Sequence, residues 1–248
     1  MSNSNLITYR RISPNKTSPR NHVIDTITIH CYVGQVTAER GCNSSRFTKY
    51  NPVSGASCNY VVGYDGSIGL CVDESDRSWC SSNRANDHRA VTIEVASETV
   101  HPYRVTDKAY KALVELVTDI CRRNNIAQLR WRGDKSLVGD TAKQNMTVHR
   151  WFARKACPGD YLYDLHGQIA NEVNAKLGVV TASPSTYPYK VKITASTLNV
   201  RTGPGTIYSK VTLVKRGEVY TIVEGKNGWG RLKSGTGWIS LKYSEKIK

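Results

Sequence analysis

The sequence contains no long hydrophobic run and no recognisable export signal. No apolar stretch approaches the roughly 20 residues that a membrane-spanning helix needs. Residues 1–5 lack the basic stretch and apolar core of a secretory signal peptide. Hydrophobic residues make up 39% of the 248 residues and charged residues 22%. This composition is ordinary for a soluble globular protein and argues against membrane insertion.

The cysteines lack the paired spacing of common metal-binding and redox motifs. Seven are present, an odd number, and no two form a C-x-x-C pair. This excludes a zinc knuckle and a thioredoxin-like motif. Because no export signal is expected, we interpret the cysteines as reduced thiols. Six of them are predicted to be small buried hydrophobic residues: Cys31, Cys42, Cys58, Cys71, Cys80 and Cys121.

Acidic residues are scarce relative to basic ones. The chain has 35 Lys and Arg against 20 Asp and Glu, a formal net charge of +15. From Pro188 onward the counts are 12 against 3, so the last quarter carries most of the excess. Such a field favours an anionic partner, which leaves nucleic acid, a membrane surface and an anionic cell-wall polymer open. Since no helix-turn-helix, RNP-type aromatic run or zinc finger is evident, nucleic acid is not the expected partner.

Two segments alternate apolar and polar residues as β-strands do. In residues 23–30, Ile27 and Ile29 point one way and His30 the other, and residues 90–96 place Glu94 on the polar face. If both strands belong to one sheet, His30 and Glu94 project into the same cleft. Between them, Asp65-Gly66 separates two further β-like runs and predicts a hairpin with a two-residue turn.

Helical patterns follow these strands. Thr106 is a suitable N-cap for an amphipathic helix that extends to about Asn125. A second helix is predicted from Asp160 to the stop at Gly178. Strands and helices interleave without a βαβ fingerprint. The predicted fold class is therefore α/β, with a mixed central sheet flanked by helices.

The pattern changes after a segment rich in Ser, Thr and Pro. Beyond it, short β-like runs alternate with Gly-rich turns every 8 to 12 residues, which is typical of a small all-β barrel. We therefore predict a first domain at 1–178, a linker at 179–188 and a second domain at 189–248.

The end of the first domain combines residues that bind metal ions. His149 and Cys157 lie eight positions apart before a Pro-Gly turn, and His30 is available from the strand. Three such ligands and one open position are the pattern of a catalytic zinc site. Glu94 is the candidate acid/base, and Lys155 is placed to stabilise a developing oxyanion. Each residue alone has a structural explanation, as a hydrogen-bonded histidine or a surface charge, so the prediction rests on the joint pattern.

The first domain resembles the zinc-dependent N-acetylmuramoyl-L-alanine amidases of phage lysins and bacterial autolysins, which are related to peptidoglycan recognition proteins. The matching segments are residues 26–30, 59–66, 78–79, 92–95 and 149–160. The most specific of them is the last, which begins at His149 and contains Lys155-Ala156-Cys157-Pro158-Gly159.

The resemblance implies an enzyme that cleaves the amide between N-acetylmuramic acid and the L-alanine of the stem peptide. It implies His30, His149 and Cys157 as zinc ligands, Glu94 as the catalytic acid/base and Lys155 as the transition-state stabiliser. Two positions depart from the family pattern. Cys58 stands where some relatives have a tyrosine, and Cys80 where many have a histidine. The alternative is a non-catalytic peptidoglycan-binding protein of the same fold.

The second domain resembles bacterial SH3-like cell-wall-binding domains, on residues 198–205, 228–231 and 237–239. With its positive charge, it is expected to hold the enzyme on an anionic wall polymer. Its candidate contact residues are Tyr208, Trp229 and Tyr243. The combination resembles a phage or prophage endolysin, or an autolysin. The protein is then expected to be made in the host bacterial cytoplasm without a signal peptide and released to lyse the wall.

Overall fold

The computed structural model describes residues 2–179, 187–206, 208–226 and 228–247. The chain divides into two compact units, Met1–Val180 and Thr181–Lys248. Most of the linker predicted at 179–188 falls on residues 180–186, outside the described residues. Within the described ranges, no helix is both long and apolar enough to span a membrane.

The first unit is built from short strands and five helices of very different length among its described residues. In chain order these are β1 (Tyr9–Arg10), β2 (Lys16–Thr17), β3 (Thr26–Cys31), α1 (Ala38–Cys42), α2 (Ser45–Thr48), β4 (Tyr60–Val62), β5 (Ile68–Leu70), β6 (Arg77–Ser78), α3 (Arg84–Arg89), β7 (Ala90–Val95), α4 (Asp107–Arg123), β8 (Met146–Thr147) and α5 (Gly159–Lys176).

A mixed sheet forms the centre of this unit. Its strand order is β1-β5-β4-β7-β3-β8, with β4 and β5 antiparallel and the other neighbours parallel. Every residue of β3 is buried, as expected for a parallel strand that is covered on both faces. On β4, Tyr60 and Val62 pack with the core that includes α4 and α5, while Val61 packs with Cys42 of α1. The predicted α/β class with a mixed, helix-flanked sheet is confirmed.

The two long helices form as their sequences predict. The Thr106 hydroxyl accepts a hydrogen bond from the Ala109 amide at 3.1 Å and caps α4. Helix α5 begins one residue before the predicted Asp160. It ends before Gly178, which adopts a positive φ of 74° that a glycine tolerates without strain.

The hairpin between β4 and β5 is confirmed, but its turn is longer than predicted. The Gly63 amide donates to the Ser67 carbonyl at 2.8 Å, so three residues, 64–66, form the loop. A two-residue type I′ turn needs positive φ at both central positions. Here Gly66 has φ 89° and Asp65 is not among the residues with positive φ. The Asp65 carboxylate instead accepts from the Ser67 amide at 3.1 Å, which stabilises the longer loop.

A buried carboxylate ties the segment that follows β5 to the C-terminal end of α4. Glu74 is fully buried and accepts hydrogen bonds from the Tyr60 hydroxyl at 2.5 Å, from Arg123 at 2.7 and 3.0 Å and from Asn124 at 2.9 Å. All its acceptor positions therefore have donors, which is the condition under which a buried charge is tolerated.

Replacing Glu74 with alanine is expected to destabilise the first unit by about 3–5 kcal/mol, because it removes the buried two-point partner of Arg123 and leaves the buried Tyr60 hydroxyl without its acceptor. Guanidinium denaturation measures the loss. The control is Asp119→Ala, which removes a more exposed carboxylate 2.8 Å from the same Arg123 and should cost about 1 kcal/mol or less. Equal losses of unfolding free energy in the two variants would show that the burial of Glu74 does not increase its contribution to stability.

The second unit is an antiparallel β-structure. Its strands are β9 (Tyr189–Ile193), β10 (Thr197–Arg201), β11 (Lys210–Lys215), β12 (Val219–Lys226), β13 (Trp229–Leu232), β14 (Trp238–Ser240) and β15 (Ser244–Ile247). They form one sheet in the order β11-β10-β14-β13-β12-β9-β15 around a small apolar core. The predicted small all-β second domain is confirmed. Tyr208 and Tyr243 are exposed, and Trp229 is half-buried.

Candidate metal centre

Adjacent parallel strands place the first two predicted site residues side by side. His30 near the end of β3 is directly opposite Glu94 of β7 in the sheet register. His30 Nδ1 lies 4.0 Å from Glu94 Oε1. His30 is completely buried, while the Glu94 side chain is 17% exposed. The alternation of the two strands is therefore sufficient to bring an imidazole and a carboxylate to one point.

The segment between β8 and α5 brings the other two predicted ligands to His30. His149 begins a short 3-10 helix, His149–Trp151, and Cys157 lies just before α5. One donor atom from each of His30, His149 and Cys157 lies within 4.8 Å of the other two. His30 Nδ1 is 3.3 Å from Cys157 Sγ.

This donor set fits a zinc ion. A nitrogen and a sulfur bound to one tetrahedral zinc ion lie about 3.5 Å apart, from bond lengths of roughly 2.0 and 2.3 Å. The observed 3.3 Å agrees with that value. Burial, together with the charge of His149, lowers the pKa of His30 well below its usual value, so the imidazole is neutral, as a metal ligand must be. Burial raises the pKa of Cys157, so binding would displace its proton.

A hydrogen bond determines which nitrogen of His149 is available. Its Nε2 lies 2.9 Å from the Ser82 hydroxyl, which leaves Nδ1 for a metal ion. Burial and the charge of Lys155 both lower the pKa of His149. Ser82 has a φ of 62°, a left-handed conformation uncommon for a residue with a side chain. Strain of this kind at a candidate site is consistent with a positioning role for Ser82.

Ser82→Ala is expected to weaken zinc binding about 10- to 100-fold, because the partner that orients His149 is lost. Competition with a chromophoric chelator measures the affinity. Ser136→Ala is the control, since the Ser136 hydroxyl bonds only to the exposed Asp134 among the contacts of the described chain. An unchanged affinity in Ser82→Ala would mean that the hydroxyl does not orient the ring.

The environment of Glu94 suits a group that exchanges protons. Burial raises its pKa to about 8, assisted by repulsion from Cys31, while Arg46 and the Cys80 thiol act in the opposite direction. The Cys80 Sγ lies 3.9 Å from Glu94 Oε1, and Oε2 has no hydrogen-bond partner among the described residues. A nearby cation would bring this pKa back toward neutrality, where a general acid/base is most effective.

A cleft of about 730 Å³ opens beside these residues. Glu94, His149, Lys155 and Cys157 all line it, and the Lys155 side chain is exposed. The structure thus gathers four of the five predicted site residues on the cleft wall, with His30 buried behind them. Their individual roles stay predictions.

Sequence reasoning missed several residues at this site. Ser82 contacts a predicted ligand, and Arg46 lines the cleft with Glu94, but neither belongs to a motif. The sequence predicts Cys80 as a buried core residue, yet it is half-buried and lines the cleft. Among the described residues, it also forms a second possible donor set with His30 and Glu94. The only sequence signal was its position directly after Trp79 within a matching segment.

Profiles of two known families match the chain. The family profile described as N-acetylmuramoyl-L-alanine amidase matches residues 20–160, and the bacterial SH3 domain profile matches residues 196–245. The chain therefore belongs to the N-acetylmuramoyl-L-alanine amidase family and carries a bacterial SH3 domain. Its first unit is accordingly an amidase domain of the hydrolase class. Among curated proteins, none matches the chain.

Solved structures, among them that of an endolysin amidase, are similar to this chain. The PlyG catalytic domain is 18% identical, with a TM-score of 0.50 over 72% of this chain and 99% of that domain. The endolysin N-acetylmuramoyl-L-alanine amidase LysCS from Clostridium intestinale is 16% identical, over 70% of this chain and 97% of that chain, with a TM-score of 0.44. At this identity, the likeness to the PlyG domain concerns the fold.

Proposed function

We propose that this protein is a zinc-dependent endolysin that hydrolyses the amide between N-acetylmuramic acid and the L-alanine of the stem peptide. The observation that carries the proposal is the cluster of His30, His149 and Cys157 donors beside Glu94, inside a domain of the amidase family.

The three donors would hold the ion and leave a coordination position open. When bound, zinc supplies a Lewis acid that makes a water molecule acidic near neutral pH. Glu94 accepts the proton of the attacking water and passes it to the leaving nitrogen of L-alanine. Its Oε1 lies 4.0 Å from His30 Nδ1, so the carboxylate is next to the donors that would hold the ion.

Lys155 provides positive charge where the carbonyl oxygen becomes negative. Its exposed ammonium group lines the cleft together with His149, whose pKa it lowers. Arg46, Arg77 and Arg84 also line the cleft. Their charge suits a peptide that carries carboxylate groups, as the stem peptide does.

The second unit would keep the enzyme on its insoluble substrate. It has an excess of nine positive charges from Pro188 onward and belongs to a cell-wall-associated domain family. An anionic wall polymer is its expected ligand, and two linked binding events raise the local concentration of the amidase domain. We further propose synthesis in the host cytoplasm and release to the wall during phage lysis.

Digestion of purified cell walls tests the proposal. The expected products carry new N-terminal L-alanine, detected by mass analysis and amine labelling, without new reducing sugar. New reducing ends would identify a glycosidase instead. Binding to the walls without any cleavage by the zinc-loaded protein would favour the non-catalytic alternative.

A further inference from the structure

Two buried thiols outside the metal centre lie unusually close together. Cys42 Sγ is 2.8 Å from Cys71 Sγ, and both side chains are completely buried. A disulfide bond is about 2.05 Å long, so the two sulfur atoms need approach by only about 0.8 Å to bond.

The backbone is arranged to permit this contact. Cys42 is the last residue of α1, and Cys71 directly follows β5. A Cβ atom on Gly69 of β5 would lie 2.4 Å from Cys42 Sγ, and one on Gly41 would lie 2.6 Å from Val61. Only residues without a side chain at these two positions allow α1 to lie so close to the sheet.

The surroundings of the pair are apolar and offer no sign of a metal site. Cys42 and Cys71 pack with Phe47, Cys58 and Val61. The two possible metal-binding groups among the described residues contain neither cysteine. The hydrogen bond with Cys71 and burial both raise the pKa of Cys42, so the thiol in the folded chain reacts slowly.

We propose that Cys42 and Cys71 are a modification site, which becomes a disulfide bond when the chain folds in the presence of a disulfide oxidant such as oxidised glutathione. The bond fastens the end of α1 to the sheet. The segment that follows Cys42 supplies Ser44, Arg46 and Phe47 to the cleft wall. The disulfide bond therefore attaches the residue from which this segment begins covalently to the sheet.

The reaction balances as two thiol–disulfide exchanges. One cysteine thiolate attacks oxidised glutathione, forms a mixed disulfide and releases one glutathione. The other cysteine attacks the mixed disulfide, forms the Cys42–Cys71 bond and releases the second glutathione. The protein loses two protons and two electrons, and the oxidant is reduced to two thiols.

The test is refolding of the full-length chain from guanidinium in a glutathione redox buffer with zinc chloride. The expected product is 2 Da lighter than the reduced chain and yields one cross-linked peptide joining Cys42 to Cys71. Because most of the thiols are buried, they are counted after the product is unfolded again in guanidinium with EDTA, where five should react with iodoacetamide. Closing a loop between residues 29 positions apart should raise the melting temperature of the first unit by roughly 7–14 °C.

Cysteine variants identify the two thiols that form the bond. Cys42→Ser and Cys71→Ser should each remove the cross-linked peptide, whereas Cys121→Ser, which alters a buried thiol on α4, should retain it. Seven reactive thiols after refolding would overturn the proposal. A bond between Cys58 and Cys71 or between Cys31 and Cys157 would also overturn it. Because the peptide map of the unmodified sequence already decides between these outcomes, a variant that fails to fold does not weaken the test.

Discussion

Replacing Glu94 with glutamine is expected to lower the rate of wall hydrolysis by about 10²- to 10⁴-fold, the usual contribution of a general acid/base. Glutamine has nearly the same size and keeps an oxygen at this position, but its amide cannot take a proton from water near neutral pH. Glu94 also cannot be replaced by a neighbour, because the other carboxylate that lines the cleft, Asp87, is buried and accepts from the amides of Cys80 and Ser81.

Measurements of zinc content and of wall binding distinguish a catalytic role of Glu94 from a structural one. Both should stay unchanged in Glu94→Gln, because Glu94 is not one of the three proposed ligands. The matched control is Glu115→Gln, which alters a half-exposed carboxylate that pairs with Lys176. If Glu94→Gln instead loses its zinc, the ion is bound by the second donor set of His30, Cys80 and Glu94, and the proposed coordination is wrong.

The strands were predictable because alternation is a strong local signal. Residues 27–29 and 91–95 have isoleucine or valine at every second position, and these residues lie in β3 and β7. The same alternation determines which side chains share a face. The juxtaposition of His30 and Glu94 therefore followed from the assumption that the two strands are neighbours in one sheet.

Contacts that depend on loops could not be predicted in this way. Ser82 reaches His149 from the turn between β6 and α3, across 67 positions of sequence. Arg46 reaches the cleft from α2, which has only four residues. Neither segment has a periodic pattern, so nothing in its residues indicates the direction in which a side chain points.

The length of the hairpin loop was also predicted wrongly, because it depends on local contacts. Asp65-Gly66 indicates a turn correctly, but the dipeptide does not determine the number of loop residues. The loop length depends on a hydrogen bond of the Asp65 carboxylate with the Ser67 amide and on the pairing of Gly63 with Ser67.

The close pair of Cys42 and Cys71 could not be predicted either, because it depends on how tightly α1 packs against β5.

Cys157→Ala is expected to abolish stoichiometric zinc binding and, with it, hydrolysis. Loss of a partner that only orients a ligand already costs 10- to 100-fold in affinity, so loss of the ligand itself should cost more than about 100-fold. The two histidines that remain would hold the ion with only two protein ligands, too few for a catalytic zinc site. Metal analysis of the purified protein should change from about one zinc ion per chain to almost none.

Thermal unfolding gives a second measurement that does not depend on activity. Zinc at 100 times its dissociation constant stabilises a protein by about 2.7 kcal/mol, which raises the melting temperature of a domain of this size by roughly 5–11 °C. This rise should occur in the unmodified protein and in the Cys121→Ala control, which removes a buried thiol from α4. It should be absent in Cys157→Ala. A zinc-dependent rise of equal size in Cys157→Ala would show that the sulfur is not a ligand, and the proposed mechanism would lose its metal centre.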